Sequence, residues 1–289
     1  MPLLAALSLL LLAGGATGSG LQFLTMYGWD PALLNRTCNV WSVGSVTDLP
    51  LLEGMRSAYG ARGMLGGPDV FRRGDWTFES GGIDDDWEAT TAAYVAAVRP
   101  SCANRTVASI FFGDELVCSG VPLANLTSVA DKVKQGLSGT GVKLYTNECG
   151  GGLNQGTVGG CYKATCKAAW AWQRVPASLD WLSVDAYNEG NRDGAAEVAL
   201  VRRRAERTIF PRMAPHQSLV VVPGVFANTP EGCSKSGLRC PLAAQQEQVI
   251  AKLRGFAAWA EREPRIVGMH AWVSAATVSP RPPEPLPSR

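Results

Sequence analysis

Short apolar runs rich in β-branched and aromatic residues alternate along this chain with longer stretches whose apolar positions recur at helical spacing. The short runs predict strands at "LQFLTMYGW", "NVWSVGS", "ARGMLGG", "VASIFFGDE", "VKLYTNE", "LDWLSVDAY", "SLVVVPGVF" and "RIVGMHAWV". Between them, "DDWEATTAAYVAAVR", "LTSVADKVKQGL", "ATCKAAWAWQRV", "AAEVALVRRRAERTIF" and "LAAQQEQVIAKLRGFAAWAERE" predict helices. Strand-helix alternation of this kind builds a parallel sheet covered by helices. Its length and element count fit a (β/α)8 TIM barrel, a single α/β domain over residues 21–275. The doubly wound alternative would carry G-x-G-x-x-G after its first strand, and the chain has none there.

The ends of the chain change the picture. Residues 1–20, "MPLLAALSLLLLAGGATGSG", have the apolar run and small-residue finish of a secretory signal peptide and are too short to span a bilayer. Residues 276–289 form a Pro-rich polar tail. Asn35, Asn104 and Asn125 each open an N-glycosylation sequon. Together with eight cysteines, these features predict a secreted, disulfide-bonded glycoprotein. Cys161 with Cys166 and Cys233 with Cys240 are close enough in sequence to close local loops. About 270 residues remain after the leader, enough for one large core. A net charge of +2 gives no reason to expect nucleic acid or an anionic membrane as partner. With only His216 and His270 available, no metal or other cofactor is expected. A monomer is the expected state.

Strand residues alternate faces, so parity sorts each strand into a helix-facing and an axial set. In "WLSVDAY", Leu182, Val184 and Ala186 form the apolar set, which turns Trp181, Ser183, Asp185 and Tyr187 inward. "IVGMHAWV" likewise sends Val267, Met269, Ala271 and Val273 outward and leaves Ile266, Gly268, His270 and Trp272 for the interior. The first strand offers Tyr27 and Trp29. In "VASIFFGDE", the set holding Ser109 and Gly113 is the more axial, placing Glu115 inward and Asp114 towards the shell. The parity of "VKLYTNE" leaves Glu148 unresolved.

Barrel active sites lie at the C-terminal ends of the strands. Carboxylates gathered there with Trp and Tyr suit a sugar, because aromatic faces pack on its C–H surfaces while acids bind hydroxyls and move protons. The expected partner is therefore a carbohydrate. Asp69, in the "GGPD" loop, is a further binding candidate. Asp84, Asp85 and Asp86 open a helical pattern and are expected to complement its dipole. "RRRAER" is expected to be a solvated helix face, and "CGGGLNQGTVGGC" a rim loop tethered by its cysteines.

These residues resemble the barrel-type glycoside hydrolases. "FFGDE" is similar to the fourth strand of the clan whose strand ends Asn-Glu, with Asp114 where the Asn would stand. "LDWLSVDAYNEG" resembles the sixth strand of family 18 chitinases and "IVGMHAWVS" their eighth, making Tyr187 and Trp272 the counterparts of their conserved Tyr and Trp. Gly113 occupies the position of the assisting Asp of the chitinase motif, and no acid follows the seventh strand before Glu231.

The resemblance implies hydrolysis of O-glycosidic bonds by paired carboxylates. Glu115, after its apolar run, is the expected acid. Asp185, two strands away and ~10 Å by backbone spacing, and Glu148, one strand away, are the candidate partners. Asp114 would orient or tune Glu115, while Tyr27, Trp29, Tyr187, His270 and Trp272 would line the sugar site. The other class of function is a lectin-like barrel that binds carbohydrate without turnover, favoured by the incomplete chitinase motif.

Overall fold

The computed structural model describes residues 23–26, 40–43, 46–60, 62–73, 81–149, 174–185, 194–223 and 242–271, with the backbone alone at 23–26, 41–43, 185, 242–246 and 248. The leader, the Pro-rich tail, the Gly-rich loop from 150 onward and both expected local cysteine pairs lie outside the described residues.

All eight expected strand segments enter one sheet. Its strands are β1 (Phe23–Met26), β2 (Val40–Val43), β3 (Arg62–Gly66), β6 (Val107–Asp114), β7 (Lys143–Cys149), β8 (Trp181–Asp185), β9 (Ser218–Val222) and β10 (Ile266–Ala271). Their order is β1-β10-β9-β8-β7-β6-β3-β2, and every neighbouring pair is parallel. A two-stranded antiparallel ribbon, β4 (Phe71–Arg72) and β5 (Gly82–Ile83), interrupts the connection after β3. The helices are α1 (Leu49–Tyr59), α2 (Trp87–Ala103), α3 (Leu123–Gly136), α4 (Gly194–Arg204) and α5 (Leu242–Ala260). This parallel sheet with covering helices is consistent with a TIM barrel.

α1 is absent from the sequence expectation, because Pro50 and Gly54 dilute a two-turn apolar pattern. It buries Leu52 and Met55 and ends at Gly60, whose left-handed φ of 68° lets its N–H bond the carbonyl of Arg56. α2 begins directly after the three aspartates, but Asp86 makes no capping bond. Asp84 instead pairs with Arg72 at 3.2 Å, fastening the ribbon. The arginine run ends α4 and enters a π-helical turn, Ala205–Ile209, where Arg202 pairs with Glu206 at 2.7 Å.

Two apolar layers separate the faces of the sheet. The larger, between strands and helices, takes Ile110, Phe112, Leu144, Leu182, Val184, Leu219, Val221, Met269 and Ala271. A smaller cluster of Val40, Met64, Tyr145 and Val220, with Phe111, Trp181 and Val267 against it, fills the other face. Leu182 and Val184 thus take the helix side, as parity predicted. In β10 parity holds from Gly268, which pairs with the inner-face Val220, through Met269, His270 and Ala271, and fails before them. A register shift between Ile266 and Gly268 puts Ile266 in the helix-side layer and Val267 against the inner one, the reverse of the expectation.

Candidate functional site

The stretch that decides the site is the end of β6. Phe111 pairs with Tyr145 and Asp114 with Asn147, so Phe112 and Gly113 together face one residue of β7. This is a β-bulge, and Gly113 enables it with a φ of 146°. The extra residue inverts the alternation. Asp114 turns to the inner face, not to the shell as parity predicted, and accepts a 2.6 Å hydrogen bond from the Asn147 amide.

Asp114 is the first link of a continuous polar row. The Oδ1 of Asn147 accepts from Ser183 Oγ at 2.5 Å, Ser183 Oγ lies 2.6 Å from the Tyr145 hydroxyl, and that hydroxyl lies 3.1 Å from His270 Nδ1. Side chains from β6, β7, β8 and β10 thus meet through hydrogen bonds inside the sheet. Asn147, Ser183, Tyr145 and His270 are all buried, whereas Asp114 is half-buried at the outer end. Desolvation raises the Asp114 pKa, opposed by the Asn147 hydrogen bond and the positive charge of Arg73 beyond β4. Burial lowers His270 to about 4, so its ring is neutral at physiological pH. Asn147, Ser183 and Tyr145 were not among the sequence candidates. The signal for them was Gly113, since a glycine inside a strand pattern marks a bulge.

Glu115 leaves the strand. Its φ of 52° is left-handed, a strained conformation for a residue with a Cβ. The strain is held by two backbone bonds, from the Glu115 N–H to the Asn147 carbonyl and from the Ser119 N–H to the Glu115 carbonyl, both 2.8 Å. Glu115 is half-buried and opens a tight turn over residues 116–120. Gly81, beside β5, docks on this turn so closely that a Cβ there would meet the Gly120 carbonyl carbon at 2.4 Å.

Glu148 lies beneath the same turn, on the opposite side of β7 from Tyr145 and Asn147. Its Oε1 accepts from the Val117 N–H at 3.1 Å and its Oε2 from the Cys118 N–H at 3.4 Å. Complete burial pushes its pKa up to about 8. The two N–H groups oppose that rise, and the carboxylates of Glu115 and Asp114 add to it. Cys118 and Cys149 form a disulfide that pins the turn to the end of β7. Cys102, by contrast, is a buried free thiol.

Asp185 ends β8, in register with Cys149 and Val222; its side chain lies outside the described residues. Tyr27, Trp29, Tyr187, Trp272 and Asn35 also lie outside them. Asp69 is exposed on the loop after β3. Asn104 is exposed beyond α2, its Oδ1 accepting from the Thr106 N–H at 2.9 Å, and Asn125 lies half-buried in the first turn of α3.

A GH18 chitinase from Pseudoalteromonas aurantia superposes with a TM-score of 0.51 at 14% identity, covering 88% of this chain and 95% of its own. A GH113 β-mannanase from Alicyclobacillus acidocaldarius, solved in complex with ManMIm, gives 0.50 at 13% identity over 90% of this chain and 88% of its own. The fold is the one seen in TIM-barrel glycoside hydrolases. No protein-family model and no curated protein matches the sequence. The likeness is therefore one of architecture, and the chemistry must be argued from the carboxylates.

Proposed function

We propose that this chain is a secreted glycoside hydrolase-like protein acting on O-glycosidic bonds of a poly- or oligosaccharide. The observation that carries the reading is the placement of Asp114 and Glu115. Two consecutive half-buried carboxylates end β6, at the end of a parallel sheet where TIM barrels perform chemistry. Glu115 serves as the acid, protonating the glycosidic oxygen as its bond to the anomeric carbon breaks. Asp185, at the end of β8, serves as the second carboxylate, acting as base or nucleophile. Glu148 is not the partner in this reading. It is fully buried and both its oxygens accept backbone N–H groups, so it supports the turn that carries Glu115.

In the same reading β1 and β2 close the sheet into a full eight-stranded barrel. Support for closure is that these strands, at the two ends of the strand order, lie beside each other. Tyr27, Trp29, Tyr187 and Trp272 serve as sugar platforms in this reading. Secretion is supported by the leader-like residues 1–20, by the sequons and by the Cys118–Cys149 disulfide, a bond that persists in oxidising compartments.

A lectin-like function is the second reading. It is favoured by the engagement of Asp114 by Asn147 and of Glu148 by backbone amides. Turnover and binding on a panel of chitin, mannan and β-glucan oligosaccharides separate the two. Hydrolysis predicts a rate that falls about 10²–10⁴-fold in Glu115→Gln with binding retained. Binding without turnover in wild type and variant alike establishes the lectin, and neither binding nor turnover overturns both.

A further inference from the structure

Hydrogen-bond bookkeeping fixes the direction of the polar row behind Asp114. An ionised carboxylate only accepts, so Asn147 must present its NH₂ to Asp114 and its Oδ1 to Ser183. Ser183 has one proton and donates it to Asn147, so the Tyr145 hydroxyl must donate to Ser183. With that proton committed, the Tyr145 oxygen can only accept from His270, which must carry its proton on Nδ1.

We infer that Asn147, Ser183, Tyr145 and His270 are positioning residues forming a one-way donor relay. All four dipoles point at the Asp114 carboxylate, fix its rotamer at the mouth of the sheet and hold His270 as the neutral Nδ1–H tautomer. The inference deepens the hydrolase reading and rests on it for its functional meaning. The relay offsets the desolvation that burial imposes on Asp114. The charge acting on Asp114 is that of Arg73 beyond β4; Glu148 lies on the opposite side of β7, and burial keeps its carboxyl protonated at neutral pH. On β10, His270 is neutral and adds no charge. A row of neutral donors stabilises a carboxylate without neutralising it, so Asp114 stays a charged partner beside Glu115.

Tautomer and titration can be read without turnover. In ¹⁵N NMR of the full chain, with His216→Gln removing the second imidazole signal, His270 is expected to show a protonated Nδ1 and an unprotonated Nε2 at neutral pH. Ser183→Ala breaks the row at its middle. It is expected to raise the Asp114 midpoint, followed by ¹³C carboxyl shifts, by a fraction of a pH unit, because the Asn147 bond to Asp114 remains and loses only the polarisation that Ser183 supplies. It should also release His270 into mixed tautomers. Tyr145→Phe, which keeps the ring, repeats the test should the alanine variant not fold. An Nε2–H tautomer in wild type, or an unchanged Asp114 midpoint in both variants, overturns the relay. A correct tautomer and midpoint shift in a protein that cleaves no glycan leaves the relay standing and sinks the hydrolase reading alone.

Discussion

Asp114 and Asn147 meet at 2.6 Å on the inner face of the sheet only because β6 carries one residue more than β7 between Phe111 and Asp114. Were the two strands paired residue for residue, Asp114 would stand beside Glu148 and face the helices, and Glu115 would fall inward while still in the strand. The bulge therefore decides which acid touches the polar row and which one opens the turn.

Gly113 is the point at which this arrangement is most easily broken. A Cβ there would adopt a φ of 146° and lie 3.1 Å from both Cγ and Cδ2 of Leu116. Gly113→Ala is expected to cost about 1–3 kcal/mol, read as a lowered melting temperature. Any glycan turnover should fall further than the stability loss explains, since the strain is relieved by moving Asp114 and Glu115. A variant with wild-type melting and unchanged turnover would show that the bulge does not position the acids.

Glu148 gives a pH dependence of defined sign. Its pKa rises from an ordinary 4.5 to about 8 in the folded chain, so between these values the folded state holds a proton that the unfolded chain has released. That contribution is fully present below pH 4.5 and is lost as pH rises through about 8. Wild-type stability should fall across this window by up to about 1.4 kcal/mol per pH unit from this group. Glu148→Gln should flatten the decline and match or exceed wild type at pH 8, as checked by denaturant titrations at pH 4, 6 and 8. An identical slope in both proteins would mean that Glu148 ionises normally.

The sequence pattern reached the fold further than the site. All eight strands were legible because each is a short apolar run, β-branched or aromatic in all but β3, bounded by Gly, Pro or polar residues. In β8 the aliphatic pair Leu182 and Val184 also fixed the facing of Ser183. Parity then failed at Gly113 and between Ile266 and Gly268, where bulges insert a step that simple alternation does not count. Glu148 was unreadable because both faces of β7 mix polar with apolar residues. The Asn147–Ser183 contact depends on cross-strand register, which no single strand encodes.

Asp180 supplies a control for stability without function. It precedes β8 at the end of the sheet away from Glu115, where its carboxylate accepts the Leu144 N–H at 2.9 Å and pairs with Lys134 at 2.6 Å. Lys134 is 42% exposed in its side chain, so it can rehydrate when the partner is lost, but the Leu144 N–H is buried and cannot. Asp180→Ala should therefore cost about 1–3 kcal/mol, the penalty for one stranded buried donor. Binding or turnover of glycans by the folded fraction should be unchanged. A selective loss of either would place function at the wrong end of the sheet.

The disulfide makes the last prediction. Cys118 and Cys149 are 31 residues apart in sequence, and a covalent loop of that length restricts the unfolded chain by about 3–4 kcal/mol. In the folded protein the same bond holds the 116–120 turn over Glu148, leaving Glu115 one residue from a clamped segment. Replacing both cysteines by serine should lower stability by an amount of that order and speed amide exchange at Val117 and Cys118, whose N–H groups bond Glu148. Cys102 serves as an internal comparison. Burial pushes its thiol up to about 12, so alkylation at neutral pH, mapped by peptide mass, should leave Cys102 untouched until the chain unfolds. If the double serine variant melts and exchanges as wild type does, the turn is held by its own hydrogen bonds and the Glu148 carboxyl, and the covalent clamp is dispensable.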